Sequence, residues 1–134
     1  ASLLAAAMQV GLRLAAVELG AGYAMQRQQF GRPIGSFQAI KHLLADAAVG
    51  LEVARAAVDA AGVTLDERSA TADRAIAAAR VVASEAAARA TRACIQVHGG
   101  IGFTWEHDAH LLLKRVLVLD QTPSTVEDAI EALA

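Results

Sequence analysis

The sequence has 134 residues, of which 55% are hydrophobic and 4% aromatic, and its formal net charge is −2. One domain of this length can bury an ordinary core, and its weak acidity argues against a general nucleic-acid binder, for which a basic stripe is expected. Alanine dominates the composition, which favours closely packed helices over a sheet.

The first predicted helix covers about residues 2–28, because apolar side chains recur there at helical spacing. Its apolar stripe consists of Leu4, Met8, Leu12, Ala15, Leu19 and Tyr23. Gly20 and Gly22 weaken the last turns, since each glycine costs about 1 kcal/mol relative to alanine inside a helix. The turn at residues 31–35, GRPIG, ends this helix, and Ser36 is expected to cap the next one.

The second helix is predicted over about residues 37–61, with Gly62 and the polar residues 66–69 as the connection to the third. Helical spacing places seven apolar residues of the second helix on one face: Ile40, Leu43, Leu44, Ala47, Leu51, Ala54 and Val58. This face is expected to be buried in the helical core.

The third helix is predicted over about residues 71–97 and ends at Gly99 and Gly100, which are typical helix-terminating residues. The residues expected to point inward are Ile76, Ala79, Ala83, Ala86, Ala90 and Ala93. Those expected mostly on solvated faces are Arg80, Glu85, Arg89 and Arg92.

Thr104 is expected to cap a fourth helix whose charges follow the order that the helix dipole favours, acidic first and basic later. These charges are Glu106, Asp108, Lys114 and Arg115. The β-branched run at residues 111–119 would also suit a strand, but the flanking cap signals favour a helix.

Ser124 and Glu127 have the spacing of a capping box for a last short helix that ends near residue 133. Long helices joined by brief loops predict an all-α fold, namely an antiparallel up-down four-helix bundle with an additional short C-terminal helix. The chain begins inside a helical pattern without an initiator Met, so we expect a piece of a longer protein.

The basic turn after the first helix is a candidate anion site. Between Glu18 and Asp46 the sequence has no carboxylate, whereas it has Arg27, Arg32, Lys41 and His42. A guanidinium and the free N–H groups at the start of the second helix can converge on a phosphate or pyrophosphate. The alternative is a turn whose arginines only keep it hydrated.

A glycine-rich segment, Gln96-Val97-His98-Gly99-Gly100-Ile101-Gly102-Phe103, is the second candidate. Glycine allows a backbone to approach a ligand closely. The segment lacks the dinucleotide fingerprint, because it reads G-x-G-x-x-W and follows a helical pattern instead of a strand. The alternative is a helix C-cap followed by a turn.

His107 and His110 are spaced to share a helix face, which is compatible with metal ligation, but no further ligand pair supports it. We therefore expect no metal and an exposed first turn. Cys94 is the only cysteine, which excludes an internal disulfide and fits a cytoplasmic location. Its apolar surroundings indicate a small core residue instead of a nucleophile. No uninterrupted apolar run of about 18 residues predicts a membrane span.

Two segments carry a family resemblance. The run Tyr23-Ala-Met-Gln-Arg-Gln-Gln-Phe-Gly-Arg-Pro-Ile, followed by Phe37-Gln38-Ala39-Ile40, closely resembles the start of the C-terminal helical domain of flavin-dependent acyl-CoA dehydrogenases. The glycine-rich segment is similar to that family's glycine loop at the expected separation, and Gly-Phe-Thr-Trp-Glu-His-Asp-Ala-His resembles bacterial heteromeric members acting on steroid side chains.

The resemblance implies that residues 1–134 form that C-terminal domain, without the family's N-terminal helical and middle β domains. It also implies FAD bound at a subunit interface, an acyl-CoA substrate, homologous subunits in a homo- or hetero-oligomer, and an electron-transfer flavoprotein as a candidate partner. The residues it assigns to a neighbouring subunit's FAD are Arg27, Gln28, Gln29, Phe30, Phe37, Gln38, Gln96, Val97, His98, Gly99 and Gly100.

The family's chemistry requires a carboxylate base, and here the sequence departs from the pattern. Many members have this glutamate shortly after the fourth helix, where this chain has Pro123-Ser124-Thr125, and others have it near the position of Ala1. The nearby carboxylates are Asp120, Glu127 and Asp128. The base is therefore absent, lies outside this chain, or comes from a partner subunit. The alternative function is a noncatalytic helical subunit that retains the fold and the interface.

Overall fold

The computed structural model describes residues 1–122 and 125–134, and in them the predicted all-α fold is confirmed. The helices are α1 (Ser2–Gln26), α2 (Gln38–Asp66), α3 (Ala72–His98), α4 (Ala109–Asp120) and α5 (Val126–Glu131). A small antiparallel hairpin, β1 (Gln28–Gln29) and β2 (Arg32–Pro33), and a 3₁₀ turn at Ile34–Ser36 join α1 to α2. A second 3₁₀ segment, Gly99–Phe103, joins α3 to α4.

The four long helices run alternately up and down, as two buried clusters show. In one cluster Ala16 of α1 packs with Ala47 of α2 and Ala90 of α3. In the other, Ala6 and Ala54 pack with the α3 turn at residues 83–86. Residue numbers therefore rise together in α1 and α3 and fall in α2, while Ala109 at the start of α4 joins the first cluster.

Helix α3 forms the centre of the bundle, because its buried residues lie on more than one side. Eight alanines of α3 are buried: Ala72, Ala77, Ala79, Ala83, Ala86, Ala87, Ala90 and Ala93. Alanine leaves little side chain between helix axes, so α1, α2 and α4 can all pack closely on it. Of the seven residues on the predicted apolar face of α2, Ala47 and Ala54 are buried and the five larger ones are half-buried.

The face of α1 that is buried differs from the predicted stripe by about one residue. Its buried residues are Ala5, Ala6, Gln9, Arg13, Ala16, Gly20 and Ala24. Leu4 is instead 72% exposed and Met8 is 46% exposed. Small residues occupy the contact because it is tight: a Cβ added at Gly20 would lie 3.1 Å from Leu44 Cδ2.

The expectation that Arg80 lies on a solvated face is wrong, because its side chain is fully buried. Its Nη1 donates to Gln9 Oε1 (2.5 Å) and its Nη2 to the Leu119 carbonyl (2.6 Å). Asp120 Oδ1 lies 3.7 Å from Arg80 Nη1 and accepts hydrogen bonds from Gln9 and Ser84. Burial lowers the pKa of Arg80, and the Asp120 charge opposes that shift. This polar network joins α1, α3 and α4.

Around α2, the expected helix limits need correction. Ser36 does not cap α2, because it lies in the 3₁₀ turn and donates to the Pro33 carbonyl (2.7 Å). The N-cap position belongs to Phe37, which has no side-chain cap. Gly62 is helical, because α2 continues to Asp66, and α1 ends at Gln26 because the hairpin begins two residues later.

The caps of α4 and α5 differ from those predicted. Thr104 ends the 3₁₀ segment, and Asp108 occupies the N-cap of α4, without a side-chain cap hydrogen bond. The predicted helix over the β-branched run is confirmed. Ser124 lies outside the described residues, and the capping box is formed by Thr125 and Asp128, each side chain bonding the other's backbone N–H.

Helix α1 is long and apolar enough to meet the length and composition of a membrane span, which the sequence reading did not anticipate. Its contacts with α2, α3 and α4 are those of a core helix. The buried polar side chains of Gln9 and Arg13 both bond to other helices.

We predict that Arg80→Ala lowers the free energy of unfolding by about 3 kcal/mol, because it leaves buried Gln9 and the Leu119 carbonyl without their donor. Urea unfolding followed by circular dichroism measures the change. Arg74→Ala, at an exposed position of the same helix, is the matched control. Equal effects of the two substitutions would contradict a structural role for the network.

Candidate functional site

The hairpin after α1 has a tight turn at its tip. Phe30 and Gly31 both have positive φ angles, 54° and 75°, as a two-residue type I′ turn requires. The Ile34 amide donates to the Arg27 carbonyl at 2.8 Å, which closes the base of the hairpin. Arg32 lies over the Phe37 ring, 4.2 Å from its centroid, so the hairpin is fixed against the start of α2.

The end of α3 folds back on the helix. Gly99 is its C-cap, with φ of 63°, a conformation that glycine tolerates best. A Cβ added at Gly102 would lie 2.8 Å from the Ile95 carbonyl oxygen and 3.0 Å from His98 Cβ. Gly102 therefore allows the 3₁₀ segment to pack directly on the last turn of α3.

These two segments meet around one surface depression of about 250 Å³. Its lining consists of Tyr23, Arg27, Gln29, Ile34, Val97 and His98. The Arg27 side chain belongs to an exposed residue, whereas His98 is buried. The depression thus combines a cationic group, an amide and an imidazole from parts of the chain that lie far apart in the sequence.

The tautomer of His98 follows from its hydrogen bond. His98 Nδ1 lies 2.8 Å from the Cys94 carbonyl oxygen, which can only accept, so Nδ1 carries the hydrogen. Nε2 is buried and has no partner among the described residues. The ring stacks on Tyr23 at 4.2 Å between centroids and lies 4.9 Å from His107. Stacking therefore fixes the imidazole at the wall of the depression.

The structure brings together four of the residues assigned by resemblance, and the other seven do not line the same depression. Arg27, Gln29, Val97 and His98 line the depression. Gln96 lies on another face of α3, in a cleft between α2 and α3. Phe30 and Phe37 pack edge to face at 6.1 Å beside the hairpin. The remaining four are exposed: Gln28, Gln38, Gly99 and Gly100.

Tyr23 and Ile34 also line the depression, and the sequence reading did not name either as a site residue. Tyr23 lies in the last turn of α1, and its carbonyl accepts a hydrogen bond from the backbone N–H of Arg27, the C-cap residue, so the two are neighbours both in the sequence and in space. That signal was available in the sequence. Ile34 had no such signal, because its position depends on the hairpin.

Asp120, one of the three candidate base carboxylates, lies at the other end of the bundle. Asp120 bonds to Gln9, which precedes Arg27 by 18 residues, so about 27 Å of helix separates the two levels. Asp120 Oδ1 already accepts two hydrogen bonds, and Asp128 accepts one in the capping box. Glu127 is exposed in the first turn of α5. Pro123 lies outside the described residues.

His107 and His110 do not share a helix face, since His107 precedes α4 and His110 lies inside it. His107 packs against Tyr23, whereas His110 meets the edge of Trp105 at 4.8 Å. Among residues 1–122 and 125–134, no group of three or more His, Cys, Asp or Glu side chains is placed to hold a metal ion.

Comparisons with known proteins agree on one family. A profile for the acyl-CoA dehydrogenase C-terminal domain matches residues 2–121. Acyl-CoA dehydrogenase IpdE2 of Mycobacterium tuberculosis is 48% identical over 116 residues, which cover 86% of this chain and 34% of that protein. The chain therefore spans about a third of the length of this curated relative.

Two solved structures share the fold. The ChsE4–ChsE5 complex of M. tuberculosis aligns with a TM-score of 0.90 and 30% identity, over 98% of this chain and 36% of that one. PigA with FAD and proline aligns with a TM-score of 0.92 and 27% identity, over 99% of this chain and 34% of that one.

Burial makes Cys94 a poor nucleophile. Its side chain is 1% exposed, and desolvation raises the pKa of the thiol to about 11. Since alkylation requires the thiolate, of which about 0.1% is present at pH 8 for such a pKa, we predict negligible reaction with iodoacetamide in the folded protein. Mass spectrometry of native and urea-unfolded samples checks this. Equal labelling of both samples would contradict a buried, inert Cys94.

Proposed function

The chain belongs to the acyl-CoA dehydrogenase family, and from that premise we propose that it is the C-terminal domain of an FAD-dependent enzyme that dehydrogenates an acyl-CoA thioester. The observation that supports this function best is the depression where Arg27 and Gln29 meet Val97 and His98. Gln29 and Val97, one from each of the two family-like motifs, are 68 residues apart in the sequence, yet both line this depression.

The residues of the depression fit a pyrophosphate. Arg27 supplies a guanidinium, which forms charge-assisted hydrogen bonds to phosphate oxygens, and Gln29 supplies an amide donor. No carboxylate lies between Glu18 and Asp46 in the sequence, so no acid on this segment competes for Arg27. The described ion pairs involve Arg80 and Arg89, and Arg27 is in neither. An exposed, unpaired arginine beside a concave surface suits an anionic cofactor.

FAD, when bound, supplies the hydride acceptor for α,β-dehydrogenation. In our proposal the role of this chain is to bind and orient the cofactor's phosphate groups through Arg27 and Gln29. The hairpin places both residues, and the rings of Tyr23 and His98 form a rigid wall beside them. The exposed Phe30 and Gln38 extend the same surface toward a neighbouring subunit.

We propose that one chain serves two active sites of an oligomer. The cofactor residues lie at the C-terminal end of α1, whereas Ala1 and Asp120, the described residues that precede the two family positions for the base, lie at the opposite end. About 27 Å of α1 separates Gln9 from Arg27. A single substrate thioester is oxidised next to the flavin ring, so the phosphates held here belong to the cofactor of a neighbouring homologous subunit.

The identity of that neighbour is also a proposal. The ChsE4–ChsE5 structure is a complex of two different proteins, and the sequence resemblance to heteromeric members favours a partner that supplies the carboxylate missing at Pro123. An electron-transfer flavoprotein is the candidate electron acceptor. The free, buried Cys94 fits the cytoplasmic location that we infer. A noncatalytic subunit that retains the interface is the second candidate, and Pro123 favours it.

We predict that Arg27→Gln in the full-length protein weakens FAD binding about 10- to 100-fold, because it removes a charge-assisted hydrogen bond to phosphate. Flavin retention after dialysis and titration of the apoprotein with FAD measure the loss. Arg55→Gln removes the same charge from an exposed position on α2 and is the control. Full flavin retention by Arg27→Gln would rule out the proposed pyrophosphate contact.

The catalytic and noncatalytic functions predict different behaviour of the complete assembly. We expect the full-length protein with its partner subunits to reduce an artificial electron acceptor in the presence of an acyl-CoA, and the isolated 134-residue chain to show no activity. Assaying a panel of acyl-CoA thioesters checks both. A flavin-containing assembly that is inactive with every thioester supports the noncatalytic subunit, and activity of the isolated chain would show that the site is misplaced.

A further inference from the structure

A second and larger concavity lies between α2 and α3, with a volume of about 680 Å³. We call it the arginine cleft. Its polar lining includes Arg13 of α1, Asp46 of α2, and Arg89, Arg92 and Gln96 of α3, and its apolar lining includes Leu43, Val49 and Ala93. Three guanidinium groups and one carboxylate give this small region a formal charge of +2 (three minus one). A cleft of this size can hold a small molecule or a side chain of another protein.

Arg13 is a buried cation that has no counter-ion among residues 1–122 and 125–134. Its side chain is 2% exposed, and its Nε donates to the Ala47 carbonyl at 2.9 Å. Its Nη2 donates to the carbonyls of Asp46 and Ala47, which are neutral groups. The ion pairs that the described residues form are Arg80 with Asp120 and Arg89 with Glu85, and neither includes Arg13. A buried charge in this condition is costly unless something compensates it.

One nitrogen of Arg13 is also unused. Nη1 is buried and has no hydrogen-bond partner among the residues that the structure describes. A Cβ added at Gly50 would lie 2.7 Å from this atom, so the guanidinium lies against the Gly50 backbone, which belongs to the lining of the cleft. The guanidinium can occupy this position because Gly50 has no side chain.

Arg89 and Arg92 add further positive charge to the cleft. Desolvation first, and then the nearby Arg89 charge, lower the pKa of Arg13 to about 10. Arg89 is paired with Glu85 at 3.6 Å, but both side chains are largely exposed, so that pair neutralises the cleft only weakly. Arg92 is exposed and belongs to no described ion pair.

We propose that the arginine cleft is a binding site for an oxyanion, a carboxylate or phosphate that lies between Arg89 and Arg92 and offsets the buried charge of Arg13. Arginine recognises both groups through paired N–H donors. The apolar lining accommodates the carbon body that carries the anion. Two sources share this chemistry: a free small molecule and an acidic side chain of a neighbouring subunit. The arginine cleft shares no lining residue with the depression at Arg27, and apart from Gln96 it includes none of the residues assigned to FAD.

The test uses the flavin-loaded full-length assembly and the double variant Arg89→Gln/Arg92→Gln, whose exposed positions preserve folding. Arg55→Gln/Arg74→Gln, also exposed and with the same change in charge, is the matched control. Thermal unfolding is recorded with inorganic phosphate and with chloride at equal ionic strength, and sedimentation velocity measures the oligomeric state. Flavin content is measured in the same samples. A protein without flavin would count against the proposed function and leave the test of the arginine cleft unaffected.

A free oxyanion predicts that phosphate raises the Tm of the wild type by about 2 to 4 °C relative to chloride, and that the double variant loses this shift while the control keeps it. An acidic side chain of a neighbour predicts no phosphate shift, because the cleft is already filled, together with dissociation of the double variant to smaller species. The proposal is overturned if the double variant matches the control in both measurements.

Discussion

Close packing on α3 is the constraint on which the rest of the structure depends. Its buried alanines allow three other helices to approach it at once, and this leaves little room for large side chains in the centre. The few large side chains that are fully buried there include three long polar ones, Gln9, Arg13 and Arg80. Each of them bonds to a different helix, so an alanine-rich core is held in register by a few directed hydrogen bonds.

The same architecture separates the two ends of the molecule. At one end, Asp120 is used by the buried network and joins α4 to α1 and α3. At the other end, α1 and α3 finish close together, and the hairpin and the 3₁₀ segment that follow them form the depression at Arg27. Rigid helices set the distance between these ends, and a domain of this design suits contacts with two different neighbours. This division of roles is the physical basis for our proposal of an oligomeric flavoenzyme.

Much of the fold follows from sequence pattern, and the failures have physical causes. Helical periodicity and the glycines after His98 predict the long helices and the end of α3, because both signals are local. The sequence pattern predicts a solvated Arg80 because arginine is rarely buried without hydrogen-bond partners. The partners that allow its burial, Gln9 and Leu119, are distant in the sequence. The predicted N-caps are also wrong. Ser36 and Thr104 are of a residue type that caps helices, but each hydroxyl donates to a carbonyl in its own turn. For the site, composition and motifs predicted Arg27 and His98, whereas Ile34 and the position of Gln96 depend on tertiary packing.

The central claim is that the segment after α1 and the end of α3 together hold the phosphates of a neighbouring subunit's FAD. An experimental structure of the full-length assembly with FAD bound tests it most directly, through the distance from the Arg27 guanidinium to the nearest pyrophosphate oxygen. Our account predicts a hydrogen-bonding distance of about 2.7 to 3.0 Å, with the flavin ring of that cofactor in another subunit. A pyrophosphate bound elsewhere, with Arg27 in solvent, would contradict it.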